Sequence, residues 1–244
     1  MSRKTLSSAS PGPTQGSLDV WRRATGLLVI VIAATGGARA AGGHHAVDDA
    51  ALLDPGQCQV EIWFDRDPGD DRALQHVGPT CRVGAVELGL NLDRLRMTAE
   101  GRTTAVGPQL KWALPLNATA SVGAVLSATW QGRQGSAARF AGTTVVVPIT
   151  WQAADSLLVH LNVGHDFRRG SADETRAGAA LEWAPLNDWS FVAERFREGG
   201  FNFWRVGTRW VVSPVVNVDL GQARELAGSV RPWWTLGMTW VFTR

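Results

Sequence analysis

The sequence predicts an all-β fold, a transmembrane, antiparallel up-and-down β-barrel of about twelve strands. Three observations predict it: a C-terminal stretch with strict two-residue periodicity, two alternating classes of connection, and an N-terminus typical of exported proteins. With 244 residues, 45% of them hydrophobic and 19% charged, the chain has the composition of a folded domain. It has no apolar run long enough for a spanning helix, which needs roughly 18 residues or more.

The last strand, predicted over 233–243, shows the two-residue period clearly. Its even positions are large and apolar, whereas the odd positions between them are small or weakly polar, as in a strand with one apolar face. The even set is Trp234, Leu236, Met238, Trp240 and Phe242, and the odd set is Thr235, Gly237, Thr239 and Val241. A membrane barrel turns such a face to lipid, whereas a soluble barrel or sandwich would bury it.

Residues 1–40 have the features of a secretory signal peptide. Basic residues precede an apolar stretch over 27–34, and Ala38-Arg39-Ala40 forms a small-x-small cleavage site. The sequence therefore predicts export, which makes the oxidising cell envelope the compartment in which the mature chain works.

The next piece, predicted as a short periplasmic N-terminal segment over 41–56, carries two adjacent histidines close to two aspartates. Imidazole and carboxylate groups are ligands for Cu, Ni or Zn, so this segment is a candidate metal site. The candidate ligands are His44, His45, Asp48 and Asp49. The alternatives are a solvated periplasmic tail and a segment that enters the barrel lumen, and no other cofactor is expected.

The remainder, predicted as the outer-membrane β-barrel over 57–244, alternates strand and turn without a helical pattern. Each segment has about the length that a tilted strand needs to cross a bilayer, and an even number lets both termini lie on one side. The predicted strands are 57–66, 72–82, 86–97, 103–114, 118–130, 139–152, 156–168, 174–184, 188–197, 202–212, 215–221 and 233–243.

The connections between these strands fall into two classes that alternate along the chain. One class is tight, as at Gly84-Ala85 and Ser213-Pro214, and the other is longer and richer in Gly and charge, as over 131–137 and 222–231. Short periplasmic turns that alternate with longer extracellular loops are typical of membrane barrels. A soluble sandwich has no reason to keep that alternation.

The two cysteines, Cys58 and Cys81, fall on the first two predicted strands. If this hairpin turns near Gly69 and Asp70, the cysteines lie opposite each other on neighbouring antiparallel strands, where a disulfide can form. Because export places them in an oxidising compartment, we predict a Cys58–Cys81 disulfide.

The polar face of each strand supplies the residues predicted to line the lumen. Charge inside and hydrocarbon outside inverts the pattern of a soluble barrel and is the distribution that lipid selects. The candidates are Glu61, Glu87, Asp93, Lys111, His160, Asn162, Asp166, Arg176, Glu182, Glu194, Arg205, Arg209 and Asp219.

Two roles for these inward charges stay open. In the first, arginines pair with acids and fill a narrow barrel with a polar plug. In the second, the charges line a conduction path and set its charge preference. The pairing would join Arg176, Arg205 and Arg209 to Glu182, Glu194 and Asp219.

Composition and spacing also argue against two other classes of function. A net charge of +2 is too small to indicate a nucleic-acid partner. Catalysis is not expected either, because His160 and Asn162 share a strand face on which no serine lies at matching spacing. His165, at an odd-numbered position, points to the opposite face of the same strand. The expected partners are outer-membrane lipid, the barrel-assembly machinery during biogenesis and a small-molecule solute.

The C-terminal part of the chain, from Asn202 to Phe242, carries a recognisable pattern. It contains a strand, a tight turn, an Asp219-Leu220-Gly221 strand and a closing Leu-Gly-Met-Thr-Trp-Val-Phe strand. This resembles the outer-membrane family named for the MetA pathway of phenol degradation. The resemblance implies an outer-membrane barrel for uptake of small, aromatic compounds, and it carries over no catalytic residue.

We therefore predict a passive outer-membrane transporter or channel for small solutes. The alternative is a binding or structural barrel whose periplasmic N-terminus binds metal.

Overall fold

A computed structural model describes residues 44–69, 71–228 and 230–244, so the predicted signal peptide lies outside the described residues. The described residues form twelve β-strands, and no helix among them has the length and apolarity to cross a membrane. The strands are β1 (Gln57–Arg66), β2 (Arg72–Val83), β3 (Val86–Met97), β4 (Gly101–Pro115), β5 (Ala120–Arg133), β6 (Arg139–Ala154), β7 (Leu157–Arg168), β8 (Glu174–Leu186), β9 (Trp189–Glu198), β10 (Phe201–Ser213), β11 (Val216–Glu225) and β12 (Trp233–Thr243).

The strands close into a single antiparallel barrel in which each strand pairs with its neighbours in sequence. The seam joins β1 to β12, with Gln57 opposite Thr243 and Arg66 opposite Trp234. Closure leaves no unpaired sheet edge, which is the condition for strands to cross a hydrocarbon layer. The predicted all-β, up-and-down barrel of about twelve strands is confirmed.

Burial alternates along each strand in the direction expected for a membrane barrel. On β12, Trp234 is 48% exposed and Leu236 55%, whereas Thr235 between them is 0% exposed. Apolar side chains therefore face outward and polar side chains face inward. A water-soluble barrel would reverse this pattern, so the structure defines a membrane-spanning barrel of the outer-membrane type.

Outward-facing tryptophans lie near both ends of the barrel wall. At the end with the short turns, Trp189 of β9 stacks on Trp210 of β10, with ring centroids 5.8 Å apart. Tryptophans outside the lumen at this end are Trp112, Trp151, Trp183, Trp189, Trp210 and Trp240, and those at the long-loop end are Trp130, Trp204 and Trp234. Amphipathic rings at two levels mark the two membrane interfaces, a position that tryptophan commonly occupies.

Charged side chains on the outer wall are distributed unevenly between the two ends of the barrel. Outward-facing arginines of the described strands lie at the long-loop end, and the acidic residues of those strands occupy inward-facing positions. These arginines are Arg66, Arg94, Arg96, Arg102, Arg195, Arg197 and Arg224. Long basic side chains can reach from the wall of a barrel to anionic headgroups, so the long-loop end suits an anionic membrane surface.

The structure departs from the predicted strand bounds chiefly at β11, which continues to Glu225 instead of ending at 221. The reason is pairing, because Phe203 of β10 lies opposite Glu225 and keeps the ladder intact through the glycine pair Gly207 and Gly221. The charged residues at 222–225, which predicted a loop, thus belong to the end of a strand whose alternate side chains face the lumen. The next strand, β12, begins at Trp233.

The predicted disulfide is confirmed. Cys58 of β1 and Cys81 of β2 are directly opposed in the register and joined by a bond that links positions 23 residues apart. Cys58 also lies opposite Phe242 of β12, so the bridge is next to the closing seam of the barrel.

Candidate functional site

The interior of the barrel is the candidate site, and the predicted lumen residues all occupy inward-facing strand positions. On β9, for example, Glu194 is 4% exposed, while the residues on either side of it face lipid. His160, Arg205, Arg209 and Asp219 are buried in the same way on their own strands. Alternation along a strand is sufficient to place them, because side chains two residues apart share a face.

Residues 44–53 run through this interior ahead of β1. Val47 is 1% exposed, Ala50 3% and Leu53 3%, although the segment has no strand or helix of its own. Of the two arrangements considered for this piece, a solvated tail and a lumen-entering segment, the structure shows the second. We call residues 44–53 the plug.

The inner part of the plug is held by Glu194 and Arg205, which face each other on β9 and β10. The Glu194 carboxylate accepts hydrogen bonds from the backbone N–H groups of Ala46 (3.2 Å) and Val47 (3.0 Å). Arg205 donates to the same carboxylate at 3.0 Å and to the carbonyl oxygen of His44. A buried ion pair thereby satisfies backbone groups that would otherwise lose their hydrogen bonds inside the barrel.

The middle of the plug contacts β4, β6 and β7. Lys111 Nζ lies 2.6 Å from Asp49 Oδ1, and the N–H of Ala50 donates to Thr150 Oγ1 at 2.8 Å. The amide of Asn162, in the orientation that satisfies both of its ends, pairs with the backbone N–H and C=O of Asp48 at 2.6 and 2.9 Å. Burial raises the pKa of the Asp48 carboxyl above its ordinary value, with the neighbouring Lys111 opposing that shift.

The end of the plug nearest β1 is fixed from both sides of its backbone. The N–H of Leu53 donates to a carboxylate oxygen of Glu87, and Arg82 Nη1 donates to the Leu53 carbonyl at 2.6 Å. Because Glu87 begins β3 and Arg82 ends β2, this contact lies at the short-turn end of the barrel. The plug therefore enters from that end and reaches the middle of the lumen.

An apolar cluster inside the barrel packs against Val47. Gly178 faces this side chain so closely that a methyl group there would lie 2.6 Å from a methyl carbon of Val47. The cluster consists of Val47, Ala180, Val192, Phe196, Phe203, Ala223 and Trp233. This cluster was not predicted, because its apolar members share the inward-facing positions of strands whose other inward residues are polar.

His44 occupies a niche formed by glycines on three adjacent strands. A methyl group would lie 2.7 Å from His44 Nε2 if added at Gly221, 3.4 Å from Nδ1 if added at Gly237 and 3.7 Å from Nε2 if added at Gly207. Burial, the neighbouring His45 and the cations Arg205 and Arg209 hold the pKa of His44 well below its ordinary value. The ring is therefore neutral at neutral pH.

The four predicted metal ligands are not brought together. His44 and His45 have ring nitrogens close to a carboxylate oxygen of Asp219, with donor atoms within 4.8 Å of one another, whereas Asp49 binds Lys111. The grouping by sequence proximity was wrong about the aspartates, because an extended segment carries the side chains of 44–45 and 48–49 to different parts of the lumen.

The predicted ion pairs form in part. Arg205 pairs with Glu194 at 3.0 Å and Arg209 with Asp219 at 2.7 Å, as the sequence suggested. Arg176 instead pairs with Asp166 (2.8 Å) and with Glu198, and Glu182 Oε2 lies 3.6 Å from His160 Nε2. Arg176 therefore pairs with none of the three acids suggested for the set of arginines, because it lies close to the long-loop mouth, whereas Glu182 lies deeper on the same strand.

A pair of stacked aromatic rings on β1 and β2 also faces the lumen and was not among the predicted candidates. Trp63 of β1 stacks on His76 of β2 with ring centroids 3.4 Å apart, and His76 Nδ1 lies 2.6 Å from Asp93 Oδ1. The signal was present, since Trp63 lies between the outward-facing Ile62 and Phe64 and so has inward parity. Arg72 lies over the ring of Trp233, 4.5 Å from its centroid, and extends this aromatic lining.

One cavity borders the plug and another lies at the mouth of the barrel. A cavity of about 30 Å³ lies along the plug and is bordered by Ala46, Asp48, Asn162 and Phe196. A recess of about 390 Å³ lies at the long-loop mouth and is lined by residues including Asp166, Arg176, Glu174 and Glu198. The interior is thus a charged mouth above a filled middle.

Comparison with protein families assigns the chain to one of them. Residues 29–242 match the model of the family described as uncharacterised conserved protein UCP029691, so the chain belongs to that family. No match was found among curated proteins. The match supports a related barrel family, and it does not confirm the MetA-pathway family that the C-terminal pattern resembles.

Solved structures with this fold include porins and channels. KdgM porin aligns with a TM-score of 0.60 at 12% identity, covering 75% of this chain and 99% of its own. The COG4313 outer membrane channel from Pseudomonas putida F1 aligns with a TM-score of 0.50 at 14% identity, covering 80% and 98%. The TodX monoaromatic hydrocarbon channel deltaS2 mutant aligns with a TM-score of 0.50 at 7% identity, covering 81% and 93%. At these identities the likeness concerns the fold.

Proposed function

We propose that this protein is a passive outer-membrane channel for small solutes, and that the plug restricts its lumen. The observation that carries the proposal is that the barrel encloses a complete extended segment, residues 44–53, within a wall of charged side chains. If the plug leaves, the vacated path has the width of a polypeptide and is lined by groups that water can solvate.

The contacts that hold the plug suit a removable element. They are mainly hydrogen bonds and ion pairs to wall residues such as Glu87, Lys111, Glu194 and Arg205, and water can replace such partners. Hydrogen bonds to charged partners contribute about 1.5–3 kcal/mol each, so a few of them hold the segment while water can still take their place on release. The wall itself does not depend on the plug, because its strands pair only with one another.

For the solute class, we infer small compounds that include aromatic ones. Support comes from the aromatic side chains inside the lumen, namely Trp63, His76, Phe196, Phe203 and Trp233, which offer stacking surfaces on a solute path. The resemblance of the C-terminal third and the fold shared with a monoaromatic hydrocarbon channel agree with this choice. The inward-facing charged side chains would hydrogen-bond to polar groups of the same solutes as they move through the lumen.

The test is solute flux into vesicles. Mature protein is reconstituted into liposomes, and swelling is compared for a small phenol, a neutral monosaccharide and a trisaccharide. We expect the two small solutes to enter faster than into empty liposomes, the phenol fastest, and the trisaccharide to be excluded. Flux equal to that of empty liposomes for every solute, with the barrel shown to be folded by its heat-modifiable gel band, would contradict the channel function.

A further inference from the structure

Four nitrogen and oxygen atoms inside the barrel are buried without a hydrogen-bond partner in the described part of the chain, and they belong to three residues that lie close together. They are both ring nitrogens of His44, Nδ1 of His45 and Oδ2 of Asp219. Burying polar groups without partners costs free energy, so such atoms are uncommon and call for an explanation. One ligand atom from each of these three residues lies within 4.8 Å of the others.

We propose that His44, His45 and Asp219 bind a divalent first-row transition-metal ion, with Zn²⁺ as the type. Two imidazoles and one carboxylate are borderline ligands that suit this class of ion. Donor atoms around a four-coordinate zinc ion lie about 2.0–2.2 Å from it, so the three groups would need to approach one another by roughly 1 Å. Water would supply the remaining coordination position.

The surroundings of the three residues support this assignment. Arg209 Nε donates to Asp219 Oδ1 at 2.7 Å, which fixes the carboxylate, and Oδ2 is left without a hydrogen-bond partner. Glu194 Oε1 lies 3.8 Å from His45 Nδ1, so a ring that ligates through Nε2 would turn its Nδ1 toward an outer carboxylate, which is the arrangement that orients a metal-ligating imidazole. Such outer partners are typical of protein metal sites.

The glycine niche gives a second, independent reason. Gly207, Gly221 and Gly237 lie on three neighbouring strands and leave space that the His44 ring fills against the wall. A side chain larger than hydrogen at Gly221 would collide with Nε2 of that ring. The barrel wall is thus shaped to admit one imidazole beside Asp219, and a bound ion would fasten the inner end of the plug to β11.

The experiment measures zinc binding by calorimetry and by metal content, using mature protein folded in detergent and stripped with a chelator. We expect one equivalent of Zn²⁺ for the unaltered protein, a loss of at least tenfold in affinity for His44→Ala, and unchanged affinity for His165→Ala. His165 is the matched control, because its side chain faces out from β7. No zinc binding by the unaltered protein, or equal affinity for His44→Ala, would overturn the proposal.

Two further variants distinguish this site from zinc binding by the histidines of the plug alone. Asp219→Asn removes the wall ligand, and Gly221→Ala removes no ligand but places a methyl group 2.7 Å from His44 Nε2. If the site is shared between plug and wall, both variants lose zinc affinity. If the histidines of the plug bind zinc without the wall, neither variant changes the affinity. Gly221→Ala keeps Arg209 and Asp219 paired, so it decides the question if Asp219→Asn does not fold. Unchanged affinity in folded Gly221→Ala would overturn the proposal.

Because the readout is metal binding and not solute flux, this inference and the channel function succeed or fail separately.

Discussion

At the scale of single residues, two backbone groups of the plug and one arginine of the wall meet on the carboxylate of Glu194. It accepts from the backbone of Ala46 and Val47 and from Arg205. Hydrogen bonds to a charged partner each contribute about 1.5–3 kcal/mol, more than those between neutral groups. This carboxylate is therefore the side chain whose charge matters directly for keeping the plug in place.

Glu194→Gln is expected to loosen the plug while leaving the barrel folded. The amide keeps the shape but loses the charge, and a loss of about 2 kcal/mol in plug docking corresponds to roughly a 30-fold rise in the undocked population. The measurement is the rate at which a protease cleaves within residues 44–53 of the folded barrel. Glu100→Gln is the control, since Glu100 lies in an exposed loop with its carboxylate 3.9 Å from Arg133. Equal cleavage rates in the two variants would contradict the assigned role of Glu194.

The sequence predicted which side chains face the lumen, because alternation along a strand determines this. It did not predict which residues they contact, where the partner comes from a distant segment. Parity alone placed Glu194, Arg205 and Asp219 inside. No local pattern reveals that Asp219 meets His44, because the contact depends on a plug that returns through the lumen of a closed barrel. Inward-facing glycines on β10, β11 and β12 were the one available signal of a niche.

At the scale of elements, the hairpin of β1 and β2 is tied twice. Its strands pair along their whole length, and the Cys58–Cys81 bond joins them beside the seam with β12. A bond that closes a loop of this size stabilises a folded protein by about 3 kcal/mol in the chain-entropy account. The disulfide thus supports the place where the barrel closes.

Replacing both cysteines by serine is expected to lower the temperature at which the folded band converts to the unfolded band on a gel. The loss of about 3 kcal/mol acts on the unfolded chain, so the folded structure and its β-rich spectrum should be retained. Reduction of the unaltered protein should give the same lowering and serves as the control. An unchanged conversion temperature in both cases would contradict a stabilising role for this bond.

Strands were the elements that the sequence predicted well, since lipid on one side and polar groups on the other impose a two-residue period on each. The exception, the end of β11, shows the limit of that rule. Residues 222–225 look like a charged loop, but the inward positions Ala223 and Glu225 are buried, and Arg224 between them faces outward near the long-loop end. A polar residue on the outer face near an interface does not end a transmembrane strand.

At the scale of the whole molecule, the barrel is polarised along its axis. Outward arginines lie only at the long-loop end of the described strands, while tryptophans mark both interfaces. Attraction between a basic side chain and an anionic membrane surface is worth about 1 kcal/mol per residue. The distribution therefore favours insertion with the long loops on the side of the more anionic leaflet.

The double variant Arg195→Glu/Arg197→Glu is expected to fold less efficiently into vesicles that contain anionic lipid. Two attractive charges become repulsive, so a difference of about 2–4 kcal/mol should reduce the folded yield at least tenfold. Folding into zwitterionic vesicles is the control and should be little changed. Equal yields of the variant and the unaltered protein in anionic vesicles would show that these arginines do not contact the headgroups.

The central claim for the molecule is that a channel-forming barrel is closed from within by residues 44–53. Single-channel conductance in planar bilayers tests it, comparing the mature protein with a variant that lacks this segment and keeps the barrel from Asp54 onward. We predict that the intact protein shows small or rare openings and that the deletion variant shows a stable, larger conductance, with both giving the same heat-modifiable band. Equal conductance from the two folded proteins, or none from the deletion variant, would contradict the claim.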